Sequence, residues 1–447
     1  MKNEGERFIR GLRGHESIAK LLDAVNSDND RISISGVLGG LTGTLGALIH
    51  AKSQDHPTLI VTSDPQKARD IFRDAGLTLE FLGEEYDDRI FLFEELNLLA
   101  QDFLTLGELE IIFYRYRVLE QLITNQPVLI VTSKQALGVP LVAPSRYREN
   151  MITIKPGDSL EKNPFLRSLF DIGYRLVSRV REVGQVAGRG GIIDIYPPGC
   201  RRPVRIDLFG DEVESLREFE TESQRSLGIL DHLTISPCFE AELLRDQDPD
   251  YLFDVEGELR DAGKMPSDPV RFREFSEEEK DEFRARGYSF FDKSGLWDYL
   301  PENTRVIIDS PGKTLGNFIG SILPKMEAGD GSTLPEHDGL VHDSSDISRG
   351  LSFFNQVEFL SPTCPLPSGS LKIPDIQSSI VTSPPGSFDR RLEQFQSKYI
   401  SIDPDADRND LIVISRSSER ISEMVGHVDG LVILHGDYSR GYDLSPG

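Results

Sequence analysis

The chain has 447 residues, with 49 Lys and Arg against 74 Asp and Glu for a net charge of −25, and three cysteines. This length divides into roughly three domains, each able to bury its own core, which excludes a peptide scaffold or a disordered tail. No apolar run approaches the ~18 residues of a membrane-spanning helix, and so acidic a chain repels phosphate backbones, excluding nonspecific DNA binding unless cations are gathered in one place.

The first residues, Met1 to Arg7, lack the apolar segment of a signal peptide, which predicts a cytoplasmic location. Residues 1–148 alternate strand and helix signals. Ile32–Val37, Thr58–Ser63 and Val128–Ser133 are short β-branched runs of the kind a parallel sheet buries on both faces. The second and third end in the same Leu-Ile-Val-Thr-Ser, which places Ser63 and Ser133 to cap the helices that follow. Between them, apolar residues at 109, 112, 113, 116, 119 and 122 predict a helix packed on the sheet.

The pattern changes over 149–230, which reads as a small antiparallel α+β unit. Strands are expected at Tyr174–Val183, Gly191–Tyr196, Val204–Phe209 and Glu212–Phe219, separated by Gly and Pro signals. Residues 231–323 return to the first α/β domain through a strand at Arg305–Asp309. They also hold the most acidic stretch: residues 236–282 carry sixteen carboxylates and six cations, a solvated surface and loop. Residues 324–387, rich in Gly, Ser, Asp and Pro, read as linker with one short structured insert. Residues 388–447 form a small α/β domain with core strands at Leu411–Ser415 and Leu431–Leu434.

Chemistry is sparse. The Gly-rich stretch after the first strand has the composition of a phosphate cradle, but a phosphate-binding loop also needs a lysine followed by Ser or Thr. With Gly40, Thr42, Gly43 and Thr44 as the body of the loop, Gly46 falls where the lysine belongs and Ala47 where the hydroxyl belongs. The expectation is a degenerate nucleotide loop without hydrolysis. The eight histidines form no i, i+4 pair, and the three cysteines, Cys200, Cys238 and Cys364, lie too far apart for a disulfide framework or close zinc pairs. No metal, cofactor or catalytic residue is implied.

The informative segment is Arg189–Gly199 followed by Pro203–Glu212. Strand alternation puts Val204, Ile206 and Leu208 on one face and Arg205, Asp207 and Phe209 on the other. The aliphatic face is the core, which leaves a phenylalanine beside an arginine on the face expected to meet water. Residues 171–210 hold seven arginines and four carboxylates, a local net of +3 inside an acidic chain. Arginine and aromatic residues dominate protein–protein hot spots. The alternative is that a helix or strand covers Phe209 and that the arginines pair with Asp194 and Asp207.

These residues also carry a family resemblance. Gly173-Tyr174-Arg175, Arg189–Pro197, Pro203–Glu212 and Gln224-Arg225-Ser226 resemble, in order and spacing, the UvrB-homology module of the bacterial transcription-repair coupling factors (Mfd). Phe91–Phe93, Arg115–Leu122 and Ser133–Leu137 are similar to that family's first domain. The similarity runs from about 10 to 315 and is fainter from 388 to 447, where the family has a small third domain.

The resemblance implies a degenerate P-loop NTPase-like α/β domain with an inserted antiparallel UvrA-binding domain and a small C-terminal α/β domain. It implies UvrA as partner, contacted through Arg189, Arg205 and Phe209, with Arg175 a weaker candidate. Nothing between Phe93 and Arg115 resembles the DNA-probing hairpin of UvrB itself. The family's RNA-polymerase-interacting domain and DNA translocase would follow the third domain, and no second P-loop or Asp-Glu box occurs in this chain. Two expectations result: a non-enzymatic UvrA-recruiting module, or the N-terminal part of an ATP-dependent DNA translocase, with RNA polymerase and DNA reached through the longer protein.

Overall fold

A computed structural model describes residues 2–14, 16–25, 31–35, 37, 40–53, 55–83, 89–95, 106–238, 294–316, 342–360, 371–372, 411–415 and 431–435. Most of the acidic stretch, the linker spans 328–332 and 383–387, and Cys364 lie outside these residues.

The β-branched runs assemble into one sheet. Its strands are β1 (Arg31–Ser35), β2 (Thr58–Thr62), β3 (Ile90–Phe93), β4 (Leu129–Ser133), β13 (Arg305–Asp309), β14 (Asn355–Leu360) and β15 (Leu371–Lys372). They lie in the order β15-β1-β14-β13-β2-β4-β3 with every pairing parallel. β2 and β4 are buried at all five positions, as strands covered on both faces must be. One face carries α1 (Lys2–Gly14), α2 (Glu16–Val25), α3 (Leu41–Lys52) and α4 (Pro65–Phe81), whose apolar residues share a core with Ile60, Val131 and Ile307. The other face meets α5 (Leu106–Ile123), where Tyr116 and Leu119 pack with Leu59, Val61 and Ile130.

Four local expectations are corrected. Ser133 caps α6 (Lys134–Leu137), accepting from the Ala136 N–H at 3.2 Å, but α4 is capped by Asp64 rather than Ser63. Pro65 takes the first helical position, where its missing N–H costs nothing, and holds Asp64 extended so that its carboxylate accepts from the Lys67 N–H at 2.9 Å.

The 324–387 segment is not simply linker. It contains α10 (Ser344–Leu351) and β14, and β14 lies inside the sheet between β1 and β13. Its sequence, Asn-Gln-Val-Glu-Phe-Leu, hides it because Glu358 is buried, where it pairs with Arg31 and accepts from Ser33 Oγ at 2.9 Å.

The Gly-rich stretch is helix where it was expected to be loop. Gly40 is the N-cap of α3, and Thr42, Gly43, Thr44 and Gly46 lie inside that helix, all buried. In a P-loop the Gly-Lys-Ser/Thr triplet opens the helix. Gly40, Leu41 and Thr42 stand at the opening of α3. The glycines serve packing. A Cβ on Gly43 would stand 2.6 Å from the Ile71 carbonyl oxygen of α4, and one on Gly46 would collide with Ile60 of β2.

The second sheet has six strands in sequence order: β6 (Arg175–Leu176), β7 (Gln185–Arg189), β8 (Ile192–Ile195), β9 (Val204–Phe209), β10 (Glu212–Phe219) and β11 (Ser226–Leu230). The expected strand over Tyr174–Val183 shrinks to the two residues of β6, which pair parallel to β7. Residues 177–184 instead fold back over the sheet, burying Val180 against Ala187 and Phe219. A short pair, β5 (Ile152–Ile154) with β12 (Leu233–Ile235), α7 (Pro144–Glu149) and α8 (Lys162–Asp171) complete this region, and α9 (Pro311–Thr314) follows β13. In the tail, β16 (Leu411–Ser415) and β17 (Leu431–His435) pair parallel.

α5 joins the two sheets. Its Glu120 is buried, and the 197–200 turn closes on it: a Cβ on Gly199 would collide with the Glu120 carboxylate. Ser236 Oγ donates to that carboxylate, and the Tyr174 hydroxyl donates to the Ser236 carbonyl at 2.9 Å. Burial raises the Glu120 pKa, opposed by the Ser236 hydrogen bond and the Arg117 charge.

Gly43→Ala is expected to destabilise the protein by about 1–3 kcal/mol through overpacking of α3 on α4, although alanine favours helix by about 1 kcal/mol. Urea unfolding checks the sign.

Candidate docking site

The inner face of the six-stranded sheet is apolar. Ile193, Ile195, Val204, Ile206, Val213 and Leu216 are buried in the same core as Tyr116 and Leu119. Alternation then dictates the outer face, and strand pairing sorts it into rows. Ala187, Asp194, Arg205, Arg217 and Ile229 oppose one another across five strands; Arg189, Ile192, Asp207 and Ser215 form the next row. The hairpins β7–β8 and β9–β10 turn at the same end of the sheet, through Gly190-Gly191 and Gly210-Asp211, with Gly190 at φ 53° and Gly210 at φ 64°. That arrangement delivers Arg189, Ile192 and Phe209 to one edge of the face.

The three main candidates therefore share a surface, in different states. Phe209 is 80% exposed. Arg189 is exposed and donates to the Ser178 carbonyl on the folded-back loop. Arg205 is held down: its Nε and Nη2 bond both carboxylate oxygens of Asp194 at 2.7 and 2.9 Å, and its guanidinium lies 4.9 Å from the centre of the Phe219 ring. The hydrogen bonds to Asp194 raise the Arg205 pKa, keeping the charge fixed. Of the two coverings weighed from sequence, the arginine pairing occurs and the burial of Phe209 does not.

Arg175 is not brought into the group. It opposes Gln185 at the far end of β7, roughly 13 Å along the strand from Arg189, and its guanidinium lies 3.9 Å from Glu182. Sequence reasoning missed Arg217 and Ile229. Arg217 pairs with Asp207 at 3.2 Å and donates from Nε to Ser215 Oγ at 3.1 Å. Ile229 is 79% exposed beside it. The sequence signal was a Ser-Leu-Gly-Ile-Leu strand too short and too close to a turn to stand out.

The α/β domain has a second place where ligands gather in such folds. After β13 the chain moves toward β14 and after β2 toward β3, so a crevice opens between their carboxyl ends. Here Lys67 and Asp309 meet across it as an ion pair, and Thr62 Oγ1 donates to Asp309 at 3.1 Å. The Thr44 hydroxyl in α3 donates to the Gly40 carbonyl at 3.1 Å. Among the described residues, no group of three or more His, Cys, Asp or Glu is placed to hold a metal ion, and no helix is long and apolar enough to cross a membrane.

Comparison with known proteins adds relatives of this chain. Residues 152–240 match the family model of the UvrB interaction domain, which spans the six-stranded sheet. The chain is 25% identical over 323 residues to the transcription-repair-coupling factor of Bacillus subtilis, covering 69% of this chain and 27% of that protein. It is 26% identical over 300 residues to that of Haemophilus influenzae, covering 66% and 25%, and 28% identical over 207 residues to that of Escherichia coli, covering 46% and 17%. The chain thus spans about a quarter of the length of the first two relatives. The matches bear out its resemblance to the N-terminal UvrB-like module of transcription-repair coupling factors.

The geometry separates two substitutions that alternation alone treats alike. Arg205→Ala strands the half-buried Asp194 carboxylate and is expected to cost about 1–2 kcal/mol of stability, whereas Phe209→Ala removes a solvated ring and leaves the stability unchanged within about 0.5 kcal/mol. Parallel denaturation curves of the two variants check this.

Proposed function

We propose that this protein is a UvrA-recruiting binding module of transcription-coupled nucleotide excision repair, presenting a UvrB-like surface and hydrolysing no nucleotide itself. The observation that carries the reading is the exposed Phe209 on the same face as Arg189 and Arg205, within a region that matches the UvrB interaction domain. The chemistry suits a docking surface. An exposed aromatic ring supplies the apolar anchor, and Arg–carboxylate pairs around it supply charge already fixed in geometry.

The absence of hydrolysis is supported by the Gly-rich stretch 40–46, which contains no lysine, and by Asp309, which is engaged by Lys67 and Thr62. In this reading the α/β domain is a scaffold, the site of action is the cytoplasm, and RNA polymerase and DNA are reached only through a longer parent protein.

A second reading is supported by the chain's 27% coverage of the B. subtilis relative: it works as the N-terminal part of an ATP-driven DNA translocase. Helicase motifs in the reading frame beyond Gly447 would establish this for the parent protein, and a stop codon there would remove it.

Purified UvrA captured on the immobilised chain tests the main reading. Phe209→Ala is expected to weaken capture at least tenfold, about 1.4 kcal/mol, with folding unchanged. Full binding by a chain substituted at Arg189, Arg205 and Phe209 together overturns it. ATP turnover above background by the purified chain overturns the non-enzymatic half.

A further inference from the structure

Seven large apolar side chains are exposed among the described residues, and five of them, Leu176, Ile192, Phe209, Leu227 and Ile229, belong to the six-stranded sheet. Single exposed apolar residues are ordinary, but their concentration on one sheet marks an interaction surface. Phe209 and Ile229 are the most exposed of the five, at 80% and 79%, and they lie at different corners of the outer face.

The row that ends at Ile229 has an unusual charge arrangement. Arg217 on β10 stands directly opposite Arg205 on β9. Like charges in that position repel, and each is balanced by its own carboxylate, Asp194 for Arg205 and Asp207 for Arg217. The two guanidinium groups differ in access. Arg205 has a side chain 20% exposed and both oxygens of Asp194, whereas Arg217 is 43% exposed and meets one oxygen of Asp207. Arg217 is thus the cation of this row most open to an incoming carboxylate, and Ile229 is its neighbour on the edge strand.

The other corner has the opposite sign. Phe209 lines a cleft of about 460 Å3 with Gly157, Ser159, Asp211 and Glu212, an acidic rim suited to a basic group.

We infer that the UvrA-docking surface does not end at Phe209 but continues across β10 to the edge strand β11, with Ile229 as a second apolar anchor and Arg217 as the anion contact between the anchors. The inference rests on the proposed function and extends it. Scale requires the continuity. Two strand spacings and four residues separate Ile229 from Phe209, roughly 16 Å. A stable interface covers about 800 Å2 on each partner, a patch roughly 30 Å across. A partner centred between the anchors covers both. The face then reads as an ordered sequence that UvrA must match: a basic group at the Asp211–Glu212 rim, an apolar socket for Phe209, a carboxylate at Arg217, and a second socket for Ile229.

The test uses the whole chain with purified UvrA. Ile229→Asp is expected to weaken binding at least tenfold with an unchanged melting temperature, Ile229→Leu to bind as the parent does, and Phe209→Ala to weaken binding. Amides of residues 226–230 are expected to exchange more slowly in the complex, a readout that needs no variant. Loss with Phe209→Ala but parent-like binding by Ile229→Asp overturns the extension and leaves the docking reading standing. Parent-like binding by both variants overturns the docking reading and the extension with it. Unchanged exchange at 226–230 in a complex that forms overturns the extension even where Ile229→Asp fails to fold.

Discussion

Val204, Ile206 and Leu216 are buried in the same core as Tyr116, Leu119 and Tyr147, so the six-stranded sheet has no independent inner surface. It folds as a lid on the α/β domain, and the side-chain period of two then decides everything on its other side. A one-residue slip of β9 would bury Arg205 and Asp207 and expose Val204 and Ile206. Burial of that aliphatic set therefore fixes the register, and the register carries Arg189, Arg205, Arg217 and Phe209 to solvent. The buried Glu120 at the joint has the same consequence. With Gly199 closed on its carboxylate and Ser236 donating to it, the β8–β9 turn and the residue after β12 are both held at this one side chain of α5.

The outer face is organised by interleaved Arg–Asp pairs. A free arginine must give up side-chain entropy on docking, of order 1 kcal/mol per ordered side chain. Arg205 has already given it up to Asp194, and the cost was met on folding by hydrogen bonds and the Phe219 ring. The face is thus charged and rigid, with Phe209 and Ile229 as its apolar protrusions. This is the construction expected of a surface that selects one partner, because a mismatched group would meet a fixed charge.

The α/β domain presents the opposite economy. Its Gly-rich stretch is used for the close approach of α3 to α4 and β2, and its crevice between β13 and β2 is bridged by Lys67 and Asp309. Groups of the type that cradle a nucleotide in related architectures are engaged in packing and in an internal ion pair. In the proposed function such a domain contributes rigidity, and its parallel sheet is the wall on which the docking face is mounted.

Much of the fold was legible in the residues. β1, β2, β4, β13 and α5 were readable because continuous β-branched runs and a 3.6 period survive burial on both faces, and the face holding Arg205 and Phe209 followed from alternation and was borne out by the burial of Val204 and Ile206. β14 was not legible, because its buried Glu358 is compensated by Arg31, a residue more than 300 positions away. The helical state of residues 41–46 was masked by glycines whose purpose is a contact with Ile71 and Ile60. Sequence by itself determined the local periods and the chemical types at each face. The tertiary structure alone decided which arginines are held and which are open, that Phe209 is exposed, and that Arg217 and Ile229 join its surface. Those outcomes depend on strand register and on partners distant in the chain, which no local pattern encodes.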